Sequence, residues 1–351
     1  MSSMRTYLLF SLMLLLALSG AFAGGQQDSS GSEAEGEMGV EINIAEGEQV
    51  GSSELEALLG PIPTPSSDYT IGAILKTLIN EHWQQMREGY LDAAEELGLE
   101  VEVSAASSES ALTEQLDLVE TMLSRNYSAL SVSPLAETNL VPALETAFAR
   151  GVPVVNVDDA RITDIPNVYV GANHRTMAVL AAEYFADYFQ GEGTVQVALI
   201  EGMAGSSASI QRVEGFTETV AEADNLELVS SLPGNWDRVE SLNAMESILQ
   251  SNPNVRGVYA ANDTMALGAM EAIINAGLED QILVIGTDGV PAAQESIREG
   301  LMHGTVAAFP YEMGRIAVEV SLRLLEGQTV PAVVTSPMTL VTAENIDEYF
   351  E

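Results

Sequence analysis

From Tyr69 onward, short apolar runs of four to six residues alternate with amphipathic stretches. The runs include Ile71 to Leu75, Val152 to Val157, Val195 to Ile200, Val255 to Ala260 and Ile282 to Ile285. They are mainly apolar rather than alternating in polarity, as strands buried on both faces are. Trp83, Met86, Tyr90, Ala94 and Leu97 recur at intervals of three and four, which predicts one buried helix face. Leu112, Leu116, Val119 and Met122 predict another. Strand and helix alternate roughly every 25 to 35 residues, so the predicted fold is α/β, with doubly wound parallel sheets covered by helices on both sides. About ten strand segments are more than one open sheet holds comfortably. The pattern weakens near Val168 to Gly171, and two sheets in two lobes follow.

Ahead of Tyr69 this pattern is missing. Residues 24 to 67 are rich in Gly, Ser and Glu and end in Pro61-Ile62-Pro63-Thr64-Pro65. Such a segment is expected to be an acidic spacer that buries too little apolar surface to order itself, with one helical turn at Leu55 to Leu59. Before it, Arg5, the apolar run Leu8 to Leu18 and Ala21-Phe22-Ala23 read as a secretory signal in residues 1–23, cleaved near Ala23. The run is shorter than the roughly 20 residues a membrane span needs. The mature chain is expected free in the periplasm.

Composition narrows the chemistry. There is no cysteine, which excludes disulfides, thiolate metal sites and a lipid-modified cysteine. His82, His174 and His303 lie far apart in sequence, without metal-ligand spacing. No metal or cofactor is expected. The formal charge is −39, from 52 acidic and 13 basic residues, and Lys76 is the only lysine. Nucleic acid would be repelled. Self-repulsion of this size is screened only by salt, the Debye length falling from about 30 Å at 0.01 M to about 3 Å at 1 M. The acid excess reads as adaptation to a salty medium. A rival reading, attraction of a cationic ligand, has to be judged at the site.

In open α/β sheets ligands lie outside the carboxyl ends of the strands. The expected strand ends here carry Lys76 to Trp83, Asp158-Asp159, Glu201 to Ser207 with Arg212 following, Gly234 to Arg238, Ala261 to Thr264 and Gly286 to Gly289. They bring together carboxylates, amides, Arg, Lys and both tryptophans of the chain. A sugar suits this mixture, since each hydroxyl donates and accepts while aromatic faces cover C–H surfaces. Plainer readings stand beside it. Asp237, three residues before Glu240, reads as a helix cap rather than a contact. Asn262 or Asp263 can cap the next helix, Asp288 can be turn chemistry, Trp83 and Trp236 can be core, and Lys76 can be a surface lysine.

With these residues assembled, the chain resembles the ribose- and allose-binding periplasmic proteins from about Tyr69 to Val341. The resemblance rests on Ile74-Leu75-Lys76-Thr77-Leu78 with Asn80 and Trp83, on Asn235-Trp236-Asp237-Arg238, on Ala261 to Gly268, and on Val284 to Gly289. It implies a type I periplasmic binding protein with a three-crossing hinge near Ala172, Ala308 and Ser336. The implied lobes are residues 68–172 with 309–336, and 173–308 with 337–351. It further implies that Lys76, Asn80, Asp158, Arg212, Asn262 and Asp288 hydrogen-bond the sugar while His82, Trp83 and Trp236 enclose its ring. Two departures stand out: Ala308 where relatives carry glutamine, and Ala172 where a small hydroxyl residue is expected.

The expected function is an extracytoplasmic receptor, monomeric, that binds a neutral monosaccharide and delivers it to the permease of an ABC transporter. The alternative is a sensory receptor reporting a sugar to a chemoreceptor or kinase. A DNA-binding regulator would need a basic helix-turn-helix where the acidic segment stands. An enzyme is disfavoured because no nucleophile and base are paired among the strand-end residues.

Overall fold

The computed structural model describes residues 41–159 and 161–350. The expected signal peptide and the first part of the expected spacer lie outside the described residues. In chain order the first elements are β1 (Ile44–Gly51), α1 (Leu55–Leu59), β2 (Thr70–Leu75), α2 (Glu81–Leu97), β3 (Glu100–Ala105) and α3 (Leu112–Ser124). Then come β4 (Ala129–Val132), α4 (Val141–Ala149), β5 (Val154–Val157), β6 (Val168–Gly171) and α5 (His174–Tyr188). They are followed by β7 (Val195–Glu201), α6 (Ser207–Glu222), β8 (Leu226–Pro233), α7 (Arg238–Ser251), β9 (Val255–Ala260) and α8 (Asp263–Asn275). The last are β10 (Leu283–Asp288), α9 (Pro291–Arg298), β11 (Gly304–Ala307), α10 (Pro310–Leu325), β12 (Val330–Thr335), β13 (Thr339–Thr342) and α11 (Ile346–Tyr349).

Two sheets result. The first has the order β1-β12-β6-β5-β4-β2-β3, with every pair parallel. The second has the order β13-β11-β10-β9-β7-β8 and is parallel except where β13 joins β11. The apolar runs fill the central strands: β4, β5 and β10 are buried along their whole length. In the first lobe α10 packs on α2; in the second, α5 packs on α6 and α7 on α8. The α2–α10 crossing is close because both helices present glycine there. A Cβ on Gly89 would run into the Tyr311 carbonyl, and one on Gly314 into that of Met86.

The chain passes between the sheets three times, after β6, after β11 and after β12. Ala172, Ala308 and Ser336 sit at these passages, all three buried. Each lobe is therefore built from segments distant in sequence.

Two expectations need correction. The stretch from Ile44 to Gly51, read as spacer, is a strand that extends the first sheet along β12. Its middle four residues are exposed, so the unpaired backbone of a sheet edge orders it, helped at its ends by Ile44 and Val50 packing against the core. Beyond it, α1 forms at the expected turn and buries Leu55, and the buried Arg323 donates to the Gly60 carbonyl at 3.0 Å. The second correction is on α3, where Leu112 is exposed and Gln115 is fully buried. Gln115 donates to the Ser133 carbonyl at 2.8 Å and accepts from the Leu135 amide at 2.9 Å. A satisfied amide thereby replaces an apolar contact under the end of β4.

Candidate functional site

All nine residues assigned to the ligand in the sequence line one cleft at the carboxyl ends of both sheets: Lys76, Asn80, His82, Trp83, Asp158, Arg212, Trp236, Asn262 and Asp288. Glu109, Asp159 and Ala208 line it too; of these only Asp159 stands among the expected strand ends, and none has an expected ligand role. Asp159 follows directly on Asp158, and Glu109 lies beyond β3 in the polar run Ser107 to Ser110, a strand end that the sequence reading passed over. Ala308 and Ala172 are not among the lining residues.

The first lobe supplies the loop after β2 and the start of α2. Lys76 is 2% exposed and forms an ion pair with Asp159, with Glu109 Oε2 3.9 Å from its Nζ. Burial pulls the ammonium pKa down, against the upward pull of Glu109 and Asp158. Asn80 is the N-cap residue of α2 in extended backbone, yet its side chain caps nothing and the amide is left for the cavity. Trp83 donates its indole N–H to Glu109 Oε1 at 3.2 Å, and the His82 ring meets it edge-on, centroids 4.8 Å apart.

The second lobe supplies the starts of α6 and α8 and the turns after β8 and β10. Arg212 lies 5.8 Å over the Trp236 ring, donates to the Ala261 carbonyl, and places one nitrogen 3.6 Å from Asp288 Oδ1. Trp236 follows Asn235, and both have positive φ, at +63° and +52°. This tight turn lays the indole across Gly202, where a Cβ would overlap the ring. Asp158 and Asp288 also have positive φ, at +68° and +123°, so three cavity residues hold strained backbone. Two features support that strain. The Asp158 carbonyl accepts from the Tyr169 hydroxyl, and Asp263 accepts from the Gly289 and Val290 amides and the Thr305 hydroxyl at 2.7, 3.0 and 2.7 Å.

Asn262 unites the two readings open to it: its side-chain oxygen caps α8 by accepting from the Met265 amide at 2.9 Å, which leaves the NH2 group to face the cavity. Asp237 is a cap, accepting from the Val239 and Glu240 amides. Both tryptophans are packed, at 5% and 8% exposure, and line the cavity as well.

Their surroundings shift the two buried histidines in opposite directions. Burial and the neighbouring Arg212 cation lower His174 to about 4, so it is neutral. Its Nδ1, 3.3 Å from Arg212, is then the acceptor, and Nε2–H is directed at the Asp158 carbonyl, 3.4 Å away. Burial also lowers His82, but Asp288 and Asp158 outweigh it and raise the ring to about 10. Asp158 is in turn held below the usual carboxylate range: burial raises it, and the His82 charge more than reverses that. Neither His82 nitrogen, nor Asp158 Oδ1, nor Arg212 Nε makes a hydrogen bond of good geometry.

The cavity thus sets the cations of Lys76, His82 and Arg212 against the carboxylates of Glu109, Asp158, Asp159 and Asp288. This near balance contrasts with the −39 of the whole chain. The acid excess is not concentrated here. Donors and acceptors stand side by side between two indoles, an arrangement that a neutral polyhydroxylated molecule satisfies.

A family model described as periplasmic binding protein domain matches residues 71–329. The D-allose-binding periplasmic protein of Escherichia coli strain K12 is 36% identical over 258 residues, 71% of this chain and 81% of that protein. The ribose import binding protein of Bacillus subtilis strain 168 is 34% identical over 275 residues, 78% and 88% of the two chains. Among solved structures, an ABC transporter periplasmic solute binding protein from Actinobacillus succinogenes with bound D-allose aligns with a TM-score of 0.77 at 31% identity, covering 80% of this chain and all of that one.

Proposed function

Because this chain belongs to the periplasmic binding protein domain family, we propose that it is an exported receptor that encloses one neutral monosaccharide between its lobes and delivers it to an ABC transporter. The observation that carries this reading is the nearly charge-balanced cavity lined by Trp83 and Trp236. Acceptor-only carboxylates, donor-only cations and the amides of Asn80 and Asn262 can each engage a hydroxyl, while the indoles cover C–H faces. Lys76, Asn80, Asp158, Arg212, Asn262 and Asp288 act as the hydrogen-bonding set, with His82, Trp83 and Trp236 around the ring. The three passages at Ala172, Ala308 and Ser336 serve as the hinge about which the lobes close, and the closed monomer is the form the permease engages. The chain acts in the periplasm and binds without catalysis. The import-related names of relatives favour delivery; no observation favours the sensory alternative.

Calorimetry in about 2 M NaCl against D-allose, D-ribose, other pentoses and hexoses, deoxysugars and polyols tests this reading. At least one neutral sugar should bind, and Asp288→Ala should weaken it by about 2–4 kcal/mol through loss of a charged acceptor, with the fold retained. Binding of charged solutes alone, with every neutral sugar inert, would refute the reading.

A further inference from the structure

Outside the cavity, the first residue of α2 reaches across to the other lobe. Glu81 Oε2 accepts the backbone N–H of Ala292, near the start of α9, at 3.1 Å. That helix has no cap of its own. The residue at its N-cap position is Val290, whose side chain caps nothing, and Pro291 after it has no N–H. The Gly289 and Val290 amides are taken by Asp263. Ala292 therefore offers the first free helical amide of α9, and its acceptor comes from the opposite lobe. Asp159, between β5 and β6, makes a similar contact. It accepts the Ala208 amide at 2.7 Å and the Ser206 hydroxyl at 3.0 Å, at the start of α6. Each carboxylate of the first lobe thus meets the positive end of a second-lobe helix, and parting the lobes would break both contacts.

We propose that Glu81 tunes ligand affinity without touching the ligand, as an interlobe latch that caps α9 only when the lobes are closed. The inference rests on the receptor reading above. A sugar held by both lobes binds the closed form, so apparent affinity scales with the population of that form, and a contact present only there slows escape. Asp159 contributes in the same sense, but it also lines the cavity and pairs with Lys76. Glu81 does neither and is the separable position.

The test compares wild type, Glu81→Gln and Glu81→Ala by calorimetry and stopped-flow fluorescence, with the sugar that binds wild type, D-allose first. Glu81→Ala should raise koff and Kd about five- to tenfold while kon stays within about twofold, and Glu81→Gln, which keeps an oxygen acceptor, should fall between. A Glu81→Ala protein with wild-type Kd and koff would overturn the latch while leaving the receptor reading in place. If wild type binds no sugar, the receptor reading fails by itself. Small-angle scattering of the ligand-free proteins then decides the latch: a larger radius of gyration for Glu81→Ala supports it, and equal radii overturn it.

Discussion

His82 Nδ1 lies 3.4 Å from Asp288 Oδ1, and this contact joins the start of α2 in the first lobe to the end of β10 in the second. The other ring nitrogen is 3.5 Å from Asp158 Oδ2, so one imidazolium is shared by carboxylates of both lobes.

This arrangement predicts a pH dependence. His82 is raised to about 10, whereas an unfolded histidine titrates near 6.5. The stabilisation from its charge is complete below about pH 6.5 and is lost as pH rises through about 10. Asp263, raised to about 8 by burial and by Asp288, adds a fall of the same sign that ends near pH 8. Above pH 8 the histidine fall continues, opposed by Lys76, whose pKa burial lowers and which therefore adds stability as pH rises towards its unfolded value. The difference between wild type and His82→Gln isolates the histidine: from pH 8 to 10 the wild-type melting temperature should fall relative to that of the variant, and equal slopes would assign the change elsewhere.

Gly202→Ala should damage the site through Trp236. The added Cβ overlaps the indole, while the glycine backbone is not in the left-handed region, so alanine itself is tolerated there. The ring must move off the cavity wall. Sugar affinity should drop roughly tenfold with the loss of stacking area, with little change in far-ultraviolet circular dichroism. Wild-type affinity in this variant would show that the indole position is immaterial.

Both tryptophans of the chain line the cavity, one from each lobe, so all indole emission reports on it. With the lobes in contact they are only 5% and 8% exposed, and a ligand-free protein whose lobes part would wet both rings. Sugar binding should therefore shift the emission to the blue, and Trp83→Phe and Trp236→Phe should each retain part of the shift and bind more weakly. Saturation by a calorimetrically proven ligand without any spectral change would remove both rings from the site.

The charge of −39 should make stability depend steeply on salt. With 52 acidic residues and only 13 basic ones, repulsion is relieved mainly by counterions, and Tm should climb between about 0.1 and 2 M NaCl. A flat response would leave the acid excess without its halophilic explanation.

The alternation of apolar runs and amphipathic stretches was enough to determine parallel strands, covering helices and the strand ends where Lys76, Asp158, Asn262 and Asp288 stand. These are local signals, because burial on both faces and helical periodicity are imprinted on consecutive residues. Other features have no such imprint. Strand β1 is ordered largely by the backbone edge of β12, which leaves no alternating pattern in its own side chains. Glu109 and Asp159 join the cavity through Trp83 and Lys76, partners 26 and 83 residues away in sequence. Sequence leaves Asn262 open between helix cap and cavity residue, and the tertiary structure directs its oxygen at the Met265 amide while placing the residue on the cavity wall. Glu81 is an acidic residue in the first turn of α2, with nothing in its local sequence that points to the other lobe. Only the approach of the two lobes turns it into the cap of α9, because a contact between lobes depends on how distant segments meet and not on either segment alone.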